Sequence, residues 1–141
     1  MPSSIATTAV KAGTASDALL DAAVTTMCTP NAAAAAAALA AGSSGCTDVT
    51  GFGLLGHGLE IARASGVRMA FDGRALPALD GALDLARAGI ETGGAAHNRR
   101  FVGDALELGA DVAAEVATLA FDPQTSGGLL AAIDDDRAAA V

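Results

Sequence analysis

Apolar residues recur at helical spacing between Ser16 and Met27, where Leu19, Leu20, Ala23, Val24 and Met27 fall on one face. Ser16 is placed to cap that helix and Pro30 to end it. Asn31 is then the expected cap of a second helix over Ala32 to Ala41, stopped by Gly42. Its run of seven alanines predicts a helix packed closely on a neighbour, since small side chains permit a short approach. Cys46 to Thr50 predicts a short strand, Gly51-Phe52-Gly53 a turn, and Leu54 to Ala64 a third helix with Leu55, Leu59 and Ala62 on one face, broken at Gly66. Val67 to Phe71 alternates apolar and polar residues, which predicts a strand. Helices are expected over Leu79 to Ala88 and Asp111 to Leu119, with Gly93 to Asn98 as a loop between them. Gly127 to Ile133 predicts a buried strand, and Asp134-Asp135-Asp136 the cap of a last helix that the chain barely begins. Neither a repeat nor a linker divides the pattern. It predicts a single α+β domain over residues 1–141, a mixed sheet with packed helices.

Composition refines that picture. Hydrophobic residues make up 52% of the chain and charged residues 17%, which rules out a disordered acidic tail. Much of the apolar content is alanine, and there is no Trp or Tyr, so a thin, helix-rich core is expected. Eight basic residues stand against sixteen acidic ones, for a net charge of −8. No basic patch is available to displace counterions from nucleic acid or to meet an anionic membrane. Cys28 and Cys46 form no C-x-x-C and no metal-ligand spacing with histidine, and buried, reduced thiols in a cytoplasmic protein are expected. The start carries no signal-peptide pattern, and the alanine run is too short and too weakly apolar to span a bilayer.

The chemistry concentrates in Thr47-Asp48-Val49-Thr50-Gly51-Phe52-Gly53, where a strand hands over to a helix. Gly51 and Gly53 let the backbone turn sharply and approach a ligand, and the N–H groups of the following helix face that approach. This geometry suits a phosphate. Asp48, just before the turn, offers a hard oxygen to Mg²⁺, which prefers one or two carboxylates together with phosphate oxygens and water. On spacing alone, a plain turn and a capping or solvated Asp48 are the favoured reading. His57, four residues after Gly53, could reach a phosphate, yet a hydrogen-bonded surface histidine is preferred because the sequence supplies it with no partner.

The whole string from Asp48 to His57, D-V-T-G-F-G-L-L-G-H, resembles the signature of the selenophosphate synthetase family (selenide, water dikinase). Aminoimidazole ribonucleotide synthetase and other relatives with the same fold share only a looser acid-then-glycine pattern. Phe121 to Leu130, F-D-P-Q-T-S-G-G-L-L, resembles the family's second run, and Pro77 to Ala82 and Gly93-Gly94 with Asn98 fit its intervening segments. Ala95 stands where the family often has threonine. The loop from Asp122 to Gly128 is read either as shaping the cleft beside the glycine turn or, with the larger share, as a turn whose Asp and Thr satisfy local backbone groups.

The resemblance implies the C-terminal domain of an enzyme that turns ATP, selenide and water into selenophosphate, AMP and phosphate, for selenocysteine and selenouridine synthesis. It implies Asp48 as one Mg²⁺ ligand among several, Gly51 and Gly53 at the ATP phosphates, and a homodimer in the cytoplasm. The N-terminal half, with its Cys or selenocysteine, its Lys and further aspartates, is absent from this chain. The domain is expected to be truncated at both ends and inactive by itself. A non-catalytic packing or binding module and a related ATP-dependent enzyme of the superfamily are the alternatives.

Overall fold

The computed structural model describes residues 4–138. Helices α1 (Ser4–Lys11), α2 (Asp17–Cys28) and α3 (Ala32–Ala40) precede strand β1 (Gly45–Asp48) and helix α4 (Gly53–Ser65). Helices α5 (Ala82–Arg87), α6 (Gly93–Val102) and α7 (Ala114–Phe121), strand β2 (Leu129–Ala132) and helix α8 (Asp135–Ala138) follow. The α+β class holds, and among the described residues the sheet is one antiparallel pair, with Asp48 opposite Leu129 and Gly45 opposite Ala132.

Helix α7 organises the core. One of its sides meets α4 and α6, where Leu55, Ala95, Val102, Ala120 and Phe121 are buried together. Its other side meets α5, and Leu119 packs there with Ile5 of α1 and Ala86. A third cluster, Ala6, Leu19 and Ala23, joins α1 to α2. Alanine supplies more than half of the buried hydrophobic residues, and Phe121 is the buried aromatic among them, as composition leads one to expect.

The local signals behave as their chemistry dictates at several ends. Ser16 caps α2, its hydroxyl accepting from Leu19 N–H at 3.2 Å. Gly66 closes α4 in the left-handed conformation, with Val67 N–H reaching back to the Ala62 carbonyl at 3.0 Å.

Six expectations are corrected. Cys28 at the end of α2 and Cys46 on the outer face of β1 are exposed rather than buried. Strand β2 is half-buried to exposed rather than buried, because among the described residues it pairs with β1 alone. Val67 to Phe71 is not a strand. Its alternation arises because Phe71 packs inward on the α4 cluster while Arg68 pairs with Glu107 at the surface, and no neighbouring ladder completes the pairing. Gly93 to Asn98 is not a loop but the first part of α6. Thr92 caps it by accepting from Ala95 N–H, and Gly94 lies so close to Pro123 that a methyl group there would sit 2.4 Å from the proline ring. Helix α3 is not closely packed: Ala38 is its buried residue and Leu39 is 74% exposed, so alanine's intrinsic propensity rather than burial favours it. Asn31 stands at the start of α3 without capping it, and its amide instead donates to the Gly127 carbonyl at 2.8 Å. Helix α1 has no counterpart in the sequence pattern.

Candidate functional site

The two sequence motifs, some seventy residues apart, are interlocked. Strand β1 runs directly into the turn, and the ladder continues one step further as Val49 N–H donates to the Gly128 carbonyl at 2.9 Å. The Thr50 carbonyl then accepts two N–H groups at 3.0 Å, from Gly53 within its own turn and from Gln124 of the second motif. Gly127 is pressed against the Val49 carbonyl, where any side chain would collide. The Asp122 to Gly128 loop therefore underlies the glycine turn and holds it in place.

The two glycines of the turn differ in kind. Gly53 has φ +66°, and a Cβ there would sit 2.8 Å from the Phe121 carbonyl oxygen, so conformation and packing both require glycine. Gly51 is exposed, lies outside the left-handed region and would meet nothing within 4 Å. Internal packing gives no reason for glycine at 51. Unobstructed approach from outside gives one. Gly53→Ala is accordingly expected to lower stability by about 2 kcal/mol through strain and overpacking. Gly51→Ala is expected to change it by less than about 0.5 kcal/mol. Urea denaturation of both variants checks the contrast.

Phe52 is right-handed, with φ −82° and ψ −1°, and Gly53 follows in the left-handed region. A right-handed then left-handed succession can gather neighbouring N–H groups at the start of a helix, although here the Gly53 N–H is already spent on the Thr50 carbonyl. The Phe52 ring stacks on Phe101 of α6 at a centroid distance of 5.3 Å and remains 39% exposed.

His57 does have partners. Its Nε2 accepts from Thr50 N–H at 3.1 Å and lies 3.2 Å from the Thr50 hydroxyl, while Nδ1 faces Glu60 at 3.7 Å. A ring nitrogen that accepts a backbone N–H carries no proton in that arrangement, which leaves the proton to Nδ1. The hydrogen bond of the preferred reading holds, with the first residue of the turn as the missing partner, but the side chain is only 11% exposed and so is not a surface group.

Asp48 ends β1 with its side chain exposed, and its carboxylate takes no hydrogen bond or ion pair from the described residues. A free carboxylate just ahead of the turn is the kind of hard donor that Mg²⁺ takes together with phosphate oxygens and water. No group of three or more His, Cys, Asp or Glu side chains able to hold a metal exists among the described residues, so Asp48 would be one ligand of a site completed elsewhere. A cavity of about 840 Å³ opens on another face of α4, lined by apolar residues such as Leu59, Phe71 and Leu106. It includes neither glycine of the turn nor Asp48.

Sequence reasoning missed three buried polar residues. Asp122 is fully buried, and its carboxylate accepts from Ile5 N–H at 3.0 Å and from the Thr92 hydroxyl at 2.8 Å. It thereby joins the starts of α1 and α6 to the second motif, and Ser4 N–H adds a bond to the Pro123 carbonyl. The groups that it satisfies are distant in the chain, not local as expected. Burial pushes the Asp122 carboxyl up to about 6, against the pull of those same donors. Asn98, 2% exposed, donates through Nδ2 to the Gly51 and Phe121 carbonyls, both at 2.9 Å. Gln124, 4% exposed, donates to the Asp122 carbonyl, while its Oε1 is buried with no partner among the described residues. The one signal within reach of sequence was Thr92, a good cap residue ahead of Asn98.

The glycine turn and the D-P-Q-T-S-G-G loop beneath it both lie within a stretch that a known family covers. The chain belongs to the family described as AIR synthase related protein, C-terminal domain, which it matches over residues 3–141. Within that class it is similar to proteins named selenide, water dikinase. The protein from Porphyromonas gingivalis is 45% identical over 134 residues, covering 95% of this chain and 38% of that protein. Those from Geobacter metallireducens and Clostridioides difficile are 41% and 35% identical, covering 89% and 93% of this chain and 36% and 38% of theirs. The chain thus spans well under half the length of these relatives. No helix among the described residues is long and apolar enough to cross a membrane.

Proposed function

We propose that this chain is the C-terminal domain of a selenide, water dikinase, an ATP-dependent phosphotransferase that forms selenophosphate, AMP and phosphate from ATP, selenide and water. The observation that carries the reading is the open Gly51 turn beside the unpaired Asp48, in a chain similar along nearly its whole length to proteins of that name. In this reading the turn's amides receive phosphate oxygens of ATP, with Gly51 allowing the approach and Gly53 shaping the turn. Asp48 supplies one oxygen to Mg²⁺, and the remaining ligands belong to the rest of the enzyme. The bound ion would neutralise phosphate charge as phosphoryl transfer proceeds. The part played by this chain is positional: it binds phosphate and holds a carboxylate at a defined place. The enzyme is proposed to be a cytoplasmic homodimer.

The test is direct. The full-length protein, given ATP, Mg²⁺ and selenide, should yield selenophosphate detectable by phosphorus NMR, and the absence of product would sink the reading. The chain alone should yield none. It should also bind Mg·ATP only weakly, because one carboxylate and one turn are a small share of a polyphosphate site. Calorimetry on the isolated chain checks this. A micromolar dissociation constant, about −8 kcal/mol, would show that this domain holds most of the site by itself.

A further inference from the structure

We propose that Asn98 is a positioning residue for nucleotide binding: it aims the Phe52 N–H out of the protein at the incoming phosphate. The proposal rests on the reading of the Gly51 turn as a phosphate site and adds a residue to which no role in binding has been given.

In a planar trans peptide the C=O of one residue and the N–H of the next point in opposite directions. The described residues contain no cis peptide bond. Asn98 is buried, and its Nδ2 holds the Gly51 carbonyl at 2.9 Å, so that carbonyl points inward to α6. The Phe52 N–H must then point outward. One residue earlier the same logic applies. The Thr50 carbonyl is held inside the turn by Gly53 N–H and Gln124 N–H, so the Gly51 N–H is directed away from them. Neither Gly51 N–H nor Phe52 N–H donates to any described residue, and both residues are exposed. Two adjacent donors are thus left without a partner within the domain, on the side where Gly51 leaves open space.

Asn98 is suited to this task. An amide has two N–H donors, and Asn98 spends both on carbonyls, one in the turn and one at the end of α7. The turn is therefore referenced to the core instead of being free to flip its peptide. A second, independent feature lies against the same turn. Gln124 is buried, its backbone is bonded to Thr50, and its Oε1 has no donor among the described residues. A buried acceptor with no donor among the described residues is one that an ordered water beneath the turn would satisfy.

The experiment uses the full-length enzyme and two substitutions. Gly51→Val fills the open side without touching the fold and tests the site itself. Asn98→Ala releases the Gly51 carbonyl and tests positioning. Both are expected to raise the KM for ATP by about tenfold or more, the scale of a lost charge-assisted hydrogen bond, with a smaller change in kcat. Melting curves establish that each variant is folded at the assay temperature. A raised KM in Gly51→Val with an unchanged KM in Asn98→Ala would overturn the role of Asn98 and leave the phosphate site standing. An unchanged KM in both would overturn the site reading, and the role of Asn98 with it. If Asn98→Ala does not fold, NMR of the unsubstituted enzyme decides. Mg·ATP should shift the amide protons of Gly51 and Phe52 strongly, and unchanged positions for both would overturn the proposal.

Discussion

Asp48→Asn in the full-length enzyme is expected to cut turnover at saturating ATP by about two to three powers of ten, the scale of losing one electrostatic contact to a transition state. Asparagine keeps the shape of the side chain and removes the charge that would hold Mg²⁺ against the ATP phosphates. The structure makes the comparison clean. The Asp48 carboxylate is exposed at the end of β1 and carries no hydrogen bond or ion pair among the described residues, so the fold gives it no other duty. Stability should therefore change by less than about 0.5 kcal/mol. The measurement is steady-state turnover against Mg²⁺ concentration, with a thermal melt alongside. Near-normal turnover with an unaltered Mg²⁺ dependence would remove Asp48 from the metal site and leave the domain an architectural one.

Asp122→Ala is expected to destabilise the domain by about 3 kcal/mol at acid pH, because the buried Ile5 N–H and the Thr92 hydroxyl would each lose an acceptor, and by less at neutral pH, where burial disfavours the charged carboxylate that the substitution removes. Asp122→Asn should cost much less. Its Oδ1 can still accept from Ile5 N–H, while Nδ2 donates to the Thr92 oxygen, which has a second lone pair beyond the one facing Ala95 N–H. The two variants also separate by pH. With burial raising the folded-state value from 3.8 to about 6, the folded chain binds the proton more tightly than the unfolded chain. The contribution of Asp122 to stability is thus fully present below pH 3.8 and is lost as pH rises through 6. Its full span is about 3 kcal/mol for a shift of this size. Urea denaturation between pH 4 and 7 should show this decline in the unsubstituted domain and a flatter profile in Asp122→Asn. Parallel profiles would mean that Asp122 is not the group responsible.

The same carboxylate shows where sequence reasoning ran out. Asp122 was visible as part of a turn-forming run, and a turn residue normally satisfies neighbours in the chain. Its partners are Ile5, 117 positions earlier, and Thr92, thirty positions earlier. No local pattern encodes such a contact, because what places it is the packing of α7 between α5 on one side and α4 and α6 on the other. Helix α6 was hidden for a related reason. Its buried face is Ala95, Asn98 and Val102, so a polar residue and a small one stand where a periodic pattern needs large apolar ones. The asparagine is buried because it serves two carbonyls of other elements, a reason that exists only after folding.

By itself the sequence determined the elements whose causes are local. Helix α2 has its serine cap and apolar stripe, α4 its left-handed glycine stop, and the strand-to-helix turn its two glycines. Caps, stops and turns depend on a few neighbouring dihedral angles and hydrogen bonds, so a few neighbouring residues specify them. It also determined the family, since an unbroken string of side chains is legible without coordinates. Only the tertiary structure decided which of those residues serve the fold and which stand free. Gly53 and Gly51 look alike in sequence, yet one is pressed against the end of α7 and the other faces open space. The His57 ring and the Asp48 carboxylate flank the same turn, yet one is bonded to Thr50 and the other to nothing described. The reason is physical: whether a donor, an acceptor or a missing side chain is already used is settled by groups that arrive from elsewhere in the chain.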